Sequence, residues 1–177
     1  MAKSTWVIDA PHSSLDFSIR HLMVSNVKGA FHNFSAKVVA DPEDLTTAEI
    51  EFVIDLESVD TRNKDRDEHL RNADFFDVEQ YPQMLFRATS ITRVKGNEYD
   101  VTGDVTLHGI TRSETFSVTF EGMEKDPWGN VKSGFSGKGV LNRSDYGLTY
   151  NAILETGGIM VGDQVKIFIE IEAAQQA

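Results

Sequence analysis

Five histidines and a scatter of carboxylates are the residues best equipped for chemistry in this chain. His12, His21, His32, His69 and His108 form neither H-x-H nor H-E-x-x-H, so no pair is preset for a metal on one strand face or one helix turn. His21 and His32 would approach each other across a hairpin, yet a metal there needs a third ligand, for which Asp9 and Asp16 are the candidates. The same residues supply one catalytic alternative, an enzyme acting on a lipophilic substrate through His12 and His21 with Asp9 or Asp16 as acid and base. Gly134-Phe135-Ser136-Gly137-Lys138 imitates a nucleophile elbow, but Lys138 stands where the last glycine belongs and no helix follows. Gly137-Lys138-Gly139 is no phosphate loop, since Gly139 replaces the Ser/Thr and Lys132 occupies the first glycine position. Asp67-Glu68-His69 falls in a helical stretch, where adjacent side chains point apart, and reads as a solvated face. The absence of cysteine removes disulfides, thiolate zinc sites and a thiol nucleophile. The expectation is a protein without catalytic residues, metal or cofactor.

What the chain holds in abundance is phenylalanine, eleven in 177 residues, and the elements that carry it read as strands. Trp6-Val7-Ile8 is a short strand ended at Pro11. Leu15, Phe17 and Ile19 alternate with Asp16, Ser18 and Arg20, the pattern of a half-buried strand. Ser25-Asn26 offers a turn, and a long strand from Val27 to Ala40 carries Phe31 and Phe34, whose change of parity predicts a bulge near His32-Asn33. Ile50, Phe52, Ile54 and Leu56 alternate next. Further on, Met84 and Phe86 begin a strand that turns at Lys95-Gly96-Asn97-Glu98 into Val101, Gly103, Val105 and Leu107. Phe116 and Phe120, the glycine-rich run from Phe135 to Leu141, and Val165 to Ile171 with Ile167 complete the series.

Only the stretch from Asp60 to Phe86 breaks this pattern. Asn63 caps a short helix with Asp65 and Asp67 in its first turn and Arg71 near its end. Leu70 and Ala73 give it little to bury, so the adjacent Phe75 and Phe76 must anchor it as a lid over a β structure.

The reading is therefore one all-β domain over residues 1–177: an extended eight-stranded antiparallel β-barrel with a short helical lid between strands four and five. A strand of ten residues spans roughly 33 Å, and closure removes the edges that such strands would expose. A two-sheet sandwich is the alternative. Inside a barrel, the phenylalanines either fill the core or line a channel for an apolar ligand, and Gly103, Gly134, Gly137 and Gly139 either open that channel or mark bends.

Charge narrows the partners. Seventeen Lys+Arg against 28 Asp+Glu give a net −11, which argues against nucleic acid and anionic membrane surfaces. Met1 to Trp6 lacks the apolar run of a secretory signal, and no later stretch approaches the roughly 20 apolar residues that insert as a membrane helix. A cytoplasmic protein is the expectation.

Several segments in fixed order carry a resemblance. They are Asp9-x-x-His12-Ser13 running into Leu15-x-Phe17-x-Ile19-Arg20-His21, Val27-x-Gly29-x-Phe31-x-x-Phe34, and Ser58-x-Asp60-Thr61 leading to His69-Leu70 and Asp74-Phe75-Phe76. Tyr81-Pro82, Val101 to Gly109, Leu141-x-Arg143-x-Asp145-Tyr146-Gly147-Leu148 and Val161-Gly162-Asp163-x-Val165 continue it. Together they resemble the YceI-like family over nearly the whole chain. The resemblance implies a lipocalin-like barrel, a polyisoprenoid held in its tunnel and often a homodimer; many members are exported. On this chain the ligand-lining set would be Phe17, Ile19, Phe31, Phe34, Phe52 and Ile54, with Leu70, Phe75, Phe76 and Phe86 at or near the lid. Val105, Leu107, Phe116, Phe120, Phe135, Leu141 and Ile167 complete it.

The implied role is non-catalytic binding, transport or storage of a long isoprenoid lipid of polyprenyl or quinone type. Burying one five-carbon isoprene unit is worth about 4 kcal/mol gross at ~0.8 kcal/mol per methylene-sized group. Eight units would exceed the practical affinity ceiling of about 18–21 kcal/mol, so ordering costs consume much of the gain. A charged head group would turn to Arg62, Lys64, Arg66 and Arg71, but Asp65, Asp67 and Glu68 interleave with them, and a neutral quinone head fits at least as well.

Overall fold

The computed structural model describes every residue except 1, 153, 156, 157, 159 and 177. Its strands are β1 (Ser4–Ile8), β2 (Ser14–His21), β3 (Ser25–Phe31), β4 (Phe34–Asp41), β5 (Asp44–Asp55), β6 (Val59–Asp60), β7 (Gln83–Lys95), β8 (Glu98–Leu107), β9 (Ile110–Lys125), β10 (Val131–Asn142) and β11 (Val161–Gln175), with helix α1 (Lys64–Arg71) between β6 and β7. All pair antiparallel in one sheet. The sheet closes because β1 pairs with β4 on one edge (Trp6 opposite Val38) and with β11 on the other (Trp6 opposite Gln175). Closure decides between barrel and sandwich.

Interruptions explain how eleven strands make eight staves. β2 continues along the same edge of β11 that β1 occupies, with Phe17 opposite Ile167. The break between them is a 3-10 turn at Ala10–His12 that contains Pro11, which has no N–H to give the ladder. Ser13 bridges the gap: its hydroxyl donates to the Asp9 carbonyl and accepts from the Glu172 amide. β3 and β4 form a second stave broken at His32-Asn33, where the parity change predicted a bulge. β5 and β6 form a third, broken by the turn at Leu56–Ser58. Counted with β1 and β2 apart, α1 stands between the fourth and fifth strands.

One turn differs from the sequence reading. Ser25 and Asn26 lie in β3, opposite His21 and Arg20. The reversal is made instead by Leu22 and Met23 in the left-handed region, at φ 52° and 58°. Apolar residues there carry no turn signal, since such backbone favours Gly and Asn. Contacts hold the turn: the Leu22 amide donates to the Met160 carbonyl at 2.7 Å and Arg20 Nη2 to the Met23 carbonyl at 2.5 Å.

Glycines let aromatic rings lie against the barrel wall. A methyl group at Gly29 would collide with the Phe17 ring, one at Gly103 with the Phe86 ring and the Arg87 carbonyl, and one at Gly139 with the Phe116 ring. Gly134 instead sits at a register shift between β10 and β9. The core has two parts. Leu15, Phe31, Ile54, Leu56, Val105, Leu107, Phe116 and Tyr146 pack toward the α1 end. Trp6, Ala40, Leu45, Tyr99, Ile171 and Ala173 close the opposite end as a floor.

Candidate functional site

Between floor and lid the barrel encloses a cavity of about 340 Å³, a volume typical of small-molecule sites. Along β11 its lining runs from Ala173 to Val161. Those twelve steps amount to about 40 Å of strand, or about 30 Å along the axis of a barrel whose strands tilt 35–45°. The void is therefore a tunnel, and the barrel is not simply filled by its own side chains.

Nearly all the walls come from residues whose parity faces them inward. Phe17, Ile19, Phe31, Phe52, Ile54, Leu70, Phe75, Phe76, Phe86, Val105, Leu107, Phe116, Phe135, Leu141 and Ile167 line the tunnel. Phe34 and Phe120 do not. Phe34 lies against Phe52, ring centroids 6.5 Å apart, and Phe120 against Phe135 at 5.2 Å; in each pair the second ring reaches the void. Alternation reports which face a side chain is on, but not how deep it sits.

The lid builds the mouth. Asn63 caps α1 by accepting from the Arg66 amide. Asp67, buried on the inner side of the helix, accepts from both the amide and the hydroxyl of Thr61 and so ties α1 to the rim. Asp67 is thus an anchor, where the sequence read a solvated face. Phe76 meets Phe31 edge-on, with ring centroids 5.8 Å apart. Above it, His69, Phe75 and Tyr150 form a triangle of edge-to-face rings with centroids 5.0–5.1 Å apart. All three line the tunnel, and they come from the helix, the segment after it and the loop between β10 and β11.

The proposed cationic clamp is not assembled. Of Arg62, Lys64, Arg66 and Arg71, only Arg66 lines the tunnel. Arg62 is exposed on left-handed backbone, and Lys64 is exposed at the start of α1. Arg71 Nε and Nη2 donate to the carbonyls of Glu57 and Val59, which makes it a tie between lid and barrel. Arg66 spends donors on the hydroxyl and carbonyl of Thr61. Sequence reasoning missed Arg143, a buried guanidinium that also lines the mouth. Its Nε donates to the Gly162 carbonyl and its Nη1 to those of Leu148 and Tyr150. Burial pushes its pKa down, against the pull of the Asp163 carboxylate. It pins both stems of the loop that carries Tyr150. It stands in the Leu141-x-Arg143-x-Asp145-Tyr146 segment that carries the resemblance, but that segment does not announce its role, because its partners are backbone carbonyls.

The structure holds the two histidines of the acid–base alternative apart, although His21 and Asp16 line the tunnel. His21 lies at the mouth end of β2, while His12 lies beyond the other end of that strand, about 30 Å away at ~3.3 Å per residue. His12 does bond Asp9, at 3.0 Å, but on the exposed outside of the floor. His21 and His32 do not pair either: His21 stands opposite Ser25, and His32 accompanies Asp60 at 2.8 Å. Asp9, His12 and Glu172 bring ligand atoms within 4.8 Å of one another. There the Lys132 ammonium, 3.0 Å from Asp9 and 3.9 Å from Glu172, already supplies the positive charge. The Lys132 hydrogen bond, followed by that of His12, holds the Asp9 carboxyl down at about 2.

A closed barrel of long antiparallel staves around an apolar tunnel, capped by a helical lid, defines a lipocalin-like barrel protein. The chain belongs to the YceI-like family, whose domain model matches residues 6–173. It is 42% identical over 164 residues to a UPF0312 protein of Staphylococcus aureus, covering 92% of this chain and 93% of that one. Among solved structures it is similar to BcnA of Burkholderia cenocepacia, with a TM-score of 0.82 and 27% identity across 93% of this chain and 98% of the other. It also shares the fold of a polyisoprenoid-binding domain from Saccharophagus degradans, with a TM-score of 0.74 and 16% identity across 97% of this chain and 98% of the other.

Proposed function

We propose that this protein is a non-catalytic binder of a long isoprenoid lipid, of polyprenyl or isoprenoid quinone type, which it carries or stores in the barrel. The observation that carries the reading is the continuous apolar tunnel, ringed by phenylalanines from floor to lid. Its length suits an extended chain. Its lining offers such a chain burial without directional demands, which is what a flexible hydrocarbon needs. Membership of the YceI-like family supports the reading, and the Saccharophagus degradans domain of the same fold is described as polyisoprenoid-binding.

The test is uptake. Purified protein is mixed with an isoprenoid quinone, separated from free lipid, extracted and analysed by mass spectrometry beside a Phe75→Asp variant. The wild type retains the quinone. The variant, which replaces an apolar ring between His69 and Tyr150 by a carboxylate, retains it about tenfold less, equivalent to ~1.4 kcal/mol. Absence of uptake by the wild type would remove the proposal.

A further inference from the structure

Inward-facing glycines in this barrel do two different things. At Gly29, Gly103 and Gly139 the space left by the missing side chain is taken up by the rings of Phe17, Phe86 and Phe116. Gly137 is different. It also lines the tunnel, but a methyl group there would meet only Val118 Cγ2 at 3.5 Å, the Ser117 carbonyl at 3.7 Å and Ile169 Cβ at 3.8 Å, all ordinary van der Waals distances. None of the barrel's own rings fills this place. Gly137 stands opposite Val118 on one side and Ile169 on the other, and both of those residues line the tunnel. A larger side chain at 137 therefore projects into the lumen.

Its height in the barrel gives the position a meaning. Gly137 is level with Ile169, four residues from the floor residue Ala173 and eight from the rim residue Val161. Those steps correspond to about 10 Å of axis below and about 20 Å above, at ~3.3 Å per residue and the usual tilt. Below Gly137 the lumen continues between Val38, Ile50, Phe135 and Ile171. That lower third is reachable only past a wall position that carries no side chain.

We propose that Gly137 sets the chain-length limit of the tunnel: the open wall at this position admits the tail into the lower third, so that long chains are bound in preference to short ones. The proposal rests on the lipid-binding reading above. It identifies the bound class as chains longer than the upper two thirds of the tunnel can hold.

The experiment uses a ubiquinone series of two, four, six and eight isoprene units, which share one head group. Binding is followed by native mass spectrometry and by quenching of tryptophan fluorescence, for the wild type, Gly137→Leu and Gly137→Ala. Affinity of the wild type rises through the longest chains. In Gly137→Leu the rise stops between the four-unit and six-unit chains, and the preference for eight units over two falls at least tenfold. Gly137→Ala, whose methyl group fits, shows a smaller fall in the same direction, and it keeps the test open if the leucine variant does not fold. An unchanged long-to-short ratio in the folded variants would overturn the proposal, as would an equal loss at every length. A wild type that binds no member of the series would overturn the lipid-binding reading and this inference with it; a wild type that binds all and a Gly137→Leu that binds all equally well would overturn this inference alone.

Discussion

Asp9 shows how single residues secure the floor. Its carboxyl is held at about 2 by Lys132 and His12, against an ordinary value of 3.8. A depressed folded-state value means that the stabilisation is fully present above an unfolded pKa of about 4 and is lost as pH falls through the folded value. Asp9→Asn should therefore lower stability at neutral pH, match the wild type only below about pH 2, and flatten the profile between. Denaturant unfolding at stepped pH measures this, and parallel profiles would contradict it. Gly103 is the second residue whose role is local. A methyl group there meets the backbone carbonyl of Arg87, which cannot move aside as a side-chain end can. Gly103→Ala should cost about 1–3 kcal/mol in urea unfolding, while Gly137→Ala costs less than about 1 kcal/mol. At this scale the sequence was legible in part. Alternation placed Phe17, Phe52, Phe86 and Phe116 on the inner face, but it could not tell that Phe34 and Phe120 sit behind other rings.

Among the elements, the lid helix and the loop between β10 and β11 share the work of covering the mouth. The helix was readable because its signals are local: Asn63 as cap, acids in the first turn and a phenylalanine pair beyond the end. The loop was not, because one side chain holds it from a distance. Arg143 bonds Leu148 and Tyr150 on one stem and Gly162 on the other. Arg143→Gln leaves those carbonyls short of donors and should cost about 3 kcal/mol. Amide exchange should rise at Leu148, Tyr150, Val161 and Gly162 while β7 to β9 remain protected. Arg143→Lys should not restore protection, since an ammonium cannot span both stems with a planar fork. Full rescue by lysine would show that charge alone, and not the fork, holds the loop. The hairpin between β2 and β3 was misplaced by the sequence for a related reason: its left-handed residues, Leu22 and Met23, are held by Met160 and Arg20 rather than by any turn propensity of their own.

For the whole molecule, the strand pattern foretold a closed barrel because staves this long leave edges that must be paired. Their interruptions at Ala10–His12, His32-Asn33 and Leu56–Ser58 bend three staves without opening the sheet. What alternation could not decide was whether the interior is full or hollow, since Phe–Gly pairing can do either. Here the rings occupy the space beside Gly29, Gly103 and Gly139, and a cavity remains between them. A lipid in that cavity is the central expectation for this protein. Native mass spectrometry of the protein as isolated from cells, with organic extraction of any adduct, tests it most directly. The expected result is a noncovalent adduct whose extracted fragments carry the repeating five-carbon unit. A bare protein mass that stays bare after exposure to isoprenoid quinones would contradict it.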